Sequence, residues 1–156
     1  MATAAKRGTS VHQCIENYLK FGIEDIPPQH KGYIDAYKKW HGDENPRVTA
    51  TESRVYHKVL MYAGTVDLLC IADGDALTCI DYKTTSQLVD MLVRVQLEAY
   101  ARAYSSHGVK ISKKSVIHLQ KDGTYTAKEY NGTDNEAWET FCGMFTVHNY
   151  LKKYGR

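Results

Sequence analysis

Two aspartates interrupt a stretch of the chain that is otherwise apolar and β-branched. The run at residues 64–70 contains Asp67, and the run at residues 79–85 contains Asp81 and Lys83, with a short Asp-Gly-Asp turn between the runs. This pattern predicts a β-hairpin with both acids inside its strands. A buried carboxylate without a partner is costly, so the fold must bring a cation or a donor to each of them.

The length of the hairpin loop decides whether the two acids face each other. A three-residue loop at residues 73–75 would place Asp67 directly opposite Asp81, with their Cβ atoms about 4.5–5.5 Å apart on one face. A two-residue turn would shift the register by one and send the acids to opposite faces. We expect the three-residue loop or an equivalent bulge. Because side chains alternate along a strand, Asp81 and Lys83 share a face and Tyr82 points away.

Two carboxylates this close repel each other, and one of them stays protonated at neutral pH unless a cation lies between them. Oxygen ligands favour a hard ion such as Mg²⁺ or Mn²⁺, which can polarise a phosphodiester and lower the pKa of a bound water. Lys83 could position the attacking water or neutralise charge on the phosphate. A structural Asp–Lys ion pair on a strand is the alternative, and it is the commoner meaning of a lone D-x-K tripeptide. The opposed Asp67 favours the metal site.

The rest of the chain predicts a mixed α/β sheet with helices packed on it. Ser10 followed by Gln13 fits a capping box at the start of the first helix. The predicted order is helix, helix, three strands, helix, two strands, helix. Helices are predicted from residue 10 and at residues 29–40, 89–106 and 134–154, and strands at residues 48–62, 64–72, 76–84, 115–119 and 124–130. The apolar faces predicted for the last two helices comprise Leu92, Val95, Ala99 and Ala103, and Trp138, Phe141, Phe145 and Leu151.

Composition limits the classes of function. The 156 residues suit a single domain over residues 1–156. The net charge is only +2, from 20 basic and 18 acidic side chains. This is far from the balance of a protein that holds nucleic acid by charge alone, so phosphate contacts must come from a local basic patch or from a metal.

The cysteines and the apolar runs bear on cofactors and location. Cys14, Cys70, Cys79 and Cys142 form no C-x-x-C pair, which argues against a zinc or iron–sulfur site and for reduced, buried thiols. No secretion signal follows the start of the sequence, and no apolar run is long enough to span a bilayer. We therefore expect a cytoplasmic protein that does not bind membranes.

Five short motifs occur in order over the first two thirds of the chain. They are a Gly-Thr-Ser-Val-His run ending at His12, then Glu52, a Gly-Thr-Val-Asp run ending at Asp67, the run Asp81-Tyr82-Lys83-Thr84-Thr85, and Gln96 four residues before Tyr100. This order resembles the RecB-type nucleases of the PD-(D/E)XK superfamily, and within them the mitochondrial genome maintenance exonucleases and their bacterial and phage relatives. Val66 stands where the superfamily name has proline, as is usual in the RecB-type group.

The resemblance implies a restriction-endonuclease-like sheet of about five strands flanked by helices, and a role for each matched residue. Asp67 and Asp81 would be the central ligands of Mg²⁺ or Mn²⁺, and Lys83 the catalytic lysine. His12 and the backbone carbonyl of Tyr82 would be further metal ligands. Glu52 would orient a ligand or the water of a second metal. Gln96 and Tyr100 would flank the site and contact the scissile strand or the lysine, and Thr84 and Thr85 would bond a phosphate. The resemblance implies no iron–sulfur cluster, because the cysteine set of some relatives is missing.

The activity implied is metal-dependent hydrolysis of DNA. We expect a bacterial or phage-encoded exonuclease acting on single strands or DNA ends, in recombination, repair or phage DNA processing. The alternatives are an endonuclease with the same chemistry and a catalytically inactive DNA-binding module. Candidates for a basic DNA-binding surface are Lys6, Arg7, Lys31, Lys38 and Lys39, and candidates for stacking on bases are Tyr33, Tyr37 and Tyr100. An ordinary surface or packing role is the alternative for each of these side chains.

Overall fold

The computed structural model describes residues 4–71 and 74–155. Its elements follow the predicted order and form a five-stranded mixed sheet flanked by four α-helices, so the predicted α/β class is confirmed. The helices are α1 (Ala4–Phe21), a 3₁₀-helix (Pro28–His30), α2 (Lys31–Glu44), α3 (Asp90–Ser105) and α4 (Asn135–Tyr154). The strands are β1 (Arg47–Tyr56), β2 (Ala63–Ile71), β3 (Leu77–Lys83), β4 (Lys113–Leu119) and β5 (Tyr125–Asn131). No helix in the described part of the chain is long and apolar enough to cross a bilayer.

The sheet has the order β1-β2-β3-β4-β5 and contains one parallel pair of neighbouring strands. β3 and β4 run parallel, and the other neighbouring pairs are antiparallel. Parallel neighbours need a crossover connection, and α3 provides it. The carboxyl end of β3, where Asp81 and Lys83 lie, is therefore followed directly by the chain that leads into α3.

Each face of the sheet has its own hydrophobic core. On one face, α1 and α2 pack against even-numbered positions of β2 and β3, including Leu68 and Tyr82. On the other face, α3 packs against odd-numbered positions, including Leu69 and Cys79. The alternation predicted for Tyr82 is thus observed, since its ring lies on the α2 side while Lys83 contacts Gln96 of α3. The fourth helix packs mainly on α3.

The register of the β2–β3 hairpin is the predicted one, but the paired region is shorter. Leu68 pairs with Ile80 and Ile71 with Leu77, which is the alignment that would place Asp67 opposite Asp81. The ladder ends at Leu68 and Ile80, one residue before the two acids. β3 continues beside β4 as far as Lys83. The predicted loop falls partly on residues 72–73, which lie outside the described residues.

Several boundaries and exposures differ from the sequence predictions. The first helix already includes Ala4, so the capping box at Ser10 and Gln13 is wrong, because Ser10 lies inside the helix. The first strand ends at Tyr56 rather than at residue 62, because a turn held by His57 follows it. Leu92 and Leu151, which belong to the apolar faces predicted for α3 and α4, are about half exposed.

The start of α2 requires glycine. A Cβ on Gly32 would lie 1.7 Å from the carbonyl oxygen of Lys121, whereas a Cβ on Gly42 in the same helix would meet nothing within 4 Å. The first turn of α2 therefore packs directly on the backbone of the β4–β5 hairpin.

We expect Gly32→Ala to lower the free energy of unfolding by about 2 kcal/mol, because the added methyl group must displace backbone. Gly42→Ala is the matched control and should raise it by about 1 kcal/mol, the ordinary helix-propensity gain. Urea denaturation of both variants measures the difference. Equal effects of the two substitutions would contradict this packing.

Candidate active site

The carboxylate of Asp67 joins three elements of the fold. Its Oδ2 accepts a hydrogen bond of 2.7 Å from the backbone N–H of Tyr82 in β3. Its Oδ1 lies 3.2 Å from Nδ1 of His12 in α1. The side chain thus takes the place of a ladder bond at the point where β2 and β3 stop pairing. This explains how a carboxylate is tolerated in an apolar strand.

The strand alternation is interrupted at Asp67. Val66 and Leu68 are two positions apart, yet Val66 packs on the α3 side and Leu68 on the α1–α2 side. In the neighbouring strand, Glu52 has a φ of 50°, in the left-handed region, between the pairs formed by Thr51 and Ser53. Such a conformation is costly for a residue with a side chain, and local irregularities of this kind re-aim side chains near functional sites. Glu52 and Asp67 are aimed together by this irregularity.

His12, Glu52 and Asp67 form a cluster that suits a metal ion. One donor atom from each residue lies within 4.8 Å of the others. The carbonyl oxygen of Tyr82 is also close, at 3.1 Å from Nε2 of His12. Two carboxylates, an imidazole and a carbonyl are a donor set of the kind that binds Mg²⁺ or Mn²⁺. The residues present therefore fit the divalent metal that the family resemblance implies.

Asp81 begins a second chain of contacts, which leads from the cluster to α3. Its Oδ2 lies 2.7 Å from Nζ of Lys83. The lysine donates a hydrogen bond of 2.9 Å to Oε1 of Gln96, and Nε2 of Gln96 donates one of 3.0 Å to the hydroxyl of Tyr100. The ammonium group is held between a buried carboxylate and an amide, which restricts the directions in which it can act.

The electrostatics of the site reflect crowded negative charge. Burial and the neighbouring Asp67 raise the pKa of Asp81 to about 6, despite the opposing effect of Lys83. Burial and Asp67 also raise the pKa of Glu52. Burial alone would lower the pKa of His12, but the bond to Asp67, aided by the charges of Asp81 and Glu52, raises it. A divalent cation would relieve this repulsion.

The residues predicted to contact DNA differ in their exposure to solvent. Thr84 is buried, so its side chain is not exposed for the predicted contact with a phosphate. Arg7 donates a hydrogen bond to the carbonyl of Thr84, and its guanidinium is therefore partly engaged within the protein. Thr85 is exposed, and its hydroxyl donates to the carbonyl of Gln87. Lys6 is exposed on the first turns of α1.

The predicted basic and stacking residues of α2 are mostly engaged in the fold. Lys31 pairs with Asp35, and Lys38 pairs with Glu24, so their charges are locally compensated. Tyr33 and Tyr37 belong to the core, and their prediction as base-stacking residues is wrong for this reason. Tyr100 remains partly exposed.

Sequence reasoning missed two features of this region. Nε2 of His118, at the end of β4, lies 2.6 Å from the carbonyl oxygen of Thr85 and thereby positions the segment after Lys83. Its side chain comes from the strand that pairs with β3 in parallel, and no motif marks it. The second feature is a row of aromatic side chains on α4, which the apolar pattern indicated only as a core-facing stripe.

Comparison with known proteins identifies the family of this chain. The family model of the PD-(D/E)XK nuclease superfamily matches residues 28–143, which is well over half of the chain. The chain belongs to this superfamily. The sequence resemblance is therefore confirmed at the level of the superfamily.

Solved structures show the same fold at low sequence identity. An alkaline exonuclease from Laribacter hongkongensis is 14% identical, with a TM-score of 0.51, and the match covers 98% of this chain and 87% of that one. A putative exonuclease from Eubacterium rectale is 12% identical, with a TM-score of 0.59, and the match covers 94% of this chain and 65% of that one. This chain thus spans just under two thirds of the second protein. A search of curated protein sequences finds no match.

The backbone at Glu52 allows a direct test of strain at the site. Glu52→Gly and Glu52→Ala both remove the carboxylate, but only glycine adopts a φ of 50° without steric cost. We expect the glycine variant to be more stable than the alanine variant by about 1 kcal/mol in urea denaturation.

Arg54, an exposed residue of the same strand without positive φ, is the matched control. There the order should reverse, because glycine in a strand of ordinary conformation is destabilising. Alanine and glycine variants of Glu52 with the same stability would show that no strain is stored there.

Proposed function

We propose that the protein is a metal-dependent deoxyribonuclease, and specifically an exonuclease that removes nucleotides from single-stranded DNA or DNA ends. The observation that carries the proposal is the cluster of His12, Glu52 and Asp67 directly beside the Asp81–Lys83 pair. Recombination, repair and phage DNA processing are the settings in which such an activity is used. The exonuclease names of two proteins with the same fold support this form of the proposal.

The metal would be held by the cluster of His12, Glu52 and Asp67. The sequence motif adds Asp81 and the Tyr82 carbonyl as further ligands. When bound, Mg²⁺ or Mn²⁺ supplies positive charge that polarises the phosphodiester and favours hydroxide as the nucleophile. The protein contributes orientation. His12 lies between Asp67 and the Tyr82 carbonyl, and this contact on both sides of the ring fixes its orientation.

Lys83 is the residue best placed to act on the reacting groups. Its ammonium group orients the attacking water or neutralises charge that develops on the phosphate. Asp81 and Gln96 restrain it from two sides, so little reorganisation is needed when the substrate arrives. Only 27% of the Lys83 side chain is exposed, which limits the solvent screening of its charge.

An inactive DNA-binding module is the less suitable alternative. Asp67, Asp81 and Lys83 are all present and in mutual proximity. A protein that only binds DNA would depend on phosphate neutralisation, which a net charge of +2 supports poorly. An endonuclease with the same catalytic groups is separated from an exonuclease by its substrate, as tested below.

Metal binding can be measured without any substrate. Calorimetric titration with Mn²⁺ should show a site that Asp67→Asn weakens at least about tenfold, with a similar effect of His12→Ala, because loss of a ligand or its orienting partner typically costs about 10–100-fold. His148→Ala, which removes an exposed histidine of α4, is the control and should leave the affinity unchanged. Unchanged Mn²⁺ binding in both site variants would place the metal elsewhere.

Cleavage of end-labelled linear single-stranded DNA and of circular single-stranded DNA tests the activity. In Mg²⁺ or Mn²⁺ we expect loss of the linear substrate only. Asp81→Asn and Lys83→Ala should each lower the rate by about 10²-fold or more, the usual cost of removing a group that stabilises developing charge. Lys110→Ala, which removes an exposed lysine between α3 and β4, should keep the wild-type rate.

The remaining outcomes are informative in different ways. Cutting of the circle would indicate an endonuclease. Binding of DNA without cleavage of either substrate, in a folded protein that binds Mn²⁺, would indicate the inactive module.

A further inference from the structure

An apolar groove lies between α3, α4 and the start of β2. We call it the α3–α4 groove and define it by Tyr62, Leu92, Gln96, Tyr100, Phe141 and Phe145. Its volume is about 540 Å³, within the range of small-ligand clefts. Its lining contains no lysine, arginine or carboxylate.

The groove is continuous with the candidate active site through Gln96. One end of this amide accepts the hydrogen bond from Lys83, and the other end donates to Tyr100. Both Gln96 and Tyr100 line the groove. A ligand in the groove is therefore separated from the Lys83 ammonium by a single side chain.

Gly64 shapes the same end of the groove. A Cβ at this position would lie 2.5 Å from Cε1 of Tyr100. The Tyr100 ring therefore occupies the space that a side chain at this position would need. This close approach belongs to the Gly-Thr-Val-Asp run that ends at Asp67, so the groove and the metal cluster share one segment of β2.

The far wall of the groove is aromatic. The rings of Phe141 and Phe145 are nearly parallel, with an interplanar angle of 8° and centroids 5.9 Å apart. The ring of Tyr62 packs edge-on against that of Phe141, with their centroids 4.6 Å apart. Both phenylalanines are only partly buried. Planar, uncharged groups stack on such rings, and nucleobases do so irrespective of sequence.

We propose that the α3–α4 groove receives a nucleobase of the DNA strand whose phosphodiester lies at Lys83. The inference rests on the proposed function, which brings a phosphate to the other side of Gln96. A neutral aromatic cleft beside a phosphate-handling site fits a base, the uncharged planar part of the same nucleotide. The groove provides the stacking surface that Tyr33 and Tyr37, buried in the core, do not.

The test is a binding cycle that requires no cleavage. Fluorescence anisotropy in Ca²⁺ compares an intact single-stranded oligonucleotide with a series in which one abasic nucleotide is moved along the strand. For the wild type, we expect one abasic position to weaken binding about tenfold, the typical effect of losing one stacked base. Phe145→Leu should weaken binding of the intact strand by a similar factor and leave binding of that abasic strand unchanged.

Controls separate stacking from a general structural effect. Phe21→Leu makes the same chemical change at an exposed residue of α1 and should preserve the preference for the intact strand. Leu92→Ala, on the opposite wall and about half exposed, is the second variant should Phe145→Leu fail to fold, and it should show the same coupling.

Four results would overturn the inference. The first is an equal loss of binding by Phe145→Leu on the intact and the abasic strands. The second is an abasic effect that does not depend on position, and the third is no measurable binding by the wild type. The fourth is a dimer that Met144→Lys, a change at an exposed residue lining the groove, dissociates without changing DNA binding. The last result would assign the groove to contact between two copies of the chain. If the wild type cleaves linear DNA but Phe145→Leu and the abasic position are not coupled, only the proposal for the groove is wrong. If they are coupled but no DNA is cleaved, only the nuclease proposal is wrong.

Discussion

The opening between β2 and β3 depends on one interaction, the hydrogen bond between the buried carboxylate of Asp67 and the backbone N–H of Tyr82. A charged group in the middle of an apolar strand must receive donors, and Asp67 receives the N–H of Tyr82 on one oxygen and faces His12 with the other. The first bond replaces a rung of the β2–β3 ladder. The two strands consequently stop pairing at Leu68 and Ile80, while β3 continues along β4. The candidate metal-binding residues and Lys83 lie at the opening that results.

The two cores hold this opening in place from both sides. On the α1–α2 side, the buried ring of Tyr82 packs among Tyr37 and Trp40, which positions the carbonyl that His12 contacts. On the α3 side, Leu97 is buried in the second core, and the adjacent Gln96 accepts the hydrogen bond from Lys83. Burial and the neighbouring Asp67 raise the pKa of Asp81 and of Glu52. The rigid packing around the site keeps these groups together despite their repulsion, which is the preorganisation that metal binding and charge stabilisation require.

Much of the fold could be predicted from local patterns, and the failures have identifiable causes. The capping box at Ser10 failed because a short sequence signal cannot exclude that the helix extends further towards the N-terminus. Leu92 and Leu151 lie on genuine apolar stripes, but the position of α4 against α3 leaves them about half exposed. Tyr33 and Tyr37 are aromatic residues next to lysines, a composition that suits nucleic-acid binding, yet their side of α2 faces the sheet. Periodicity shows that a helix has two faces, and it does not show which neighbour covers either face.

The sequence by itself determined the order of elements, the hairpin register, and the common face of Asp81 and Lys83, because the two-residue period and the loop length are local properties of the chain. The superfamily followed from motifs in order. Only the tertiary structure decided that His12, 70 positions from Tyr82, reaches its carbonyl. The tertiary structure also decided the left-handed backbone of Glu52, the hydrogen bond between Lys83 and Gln96, and the groove between α3 and α4. These features arise from the angles at which separate elements pack, and those angles depend on the whole core rather than on any one segment.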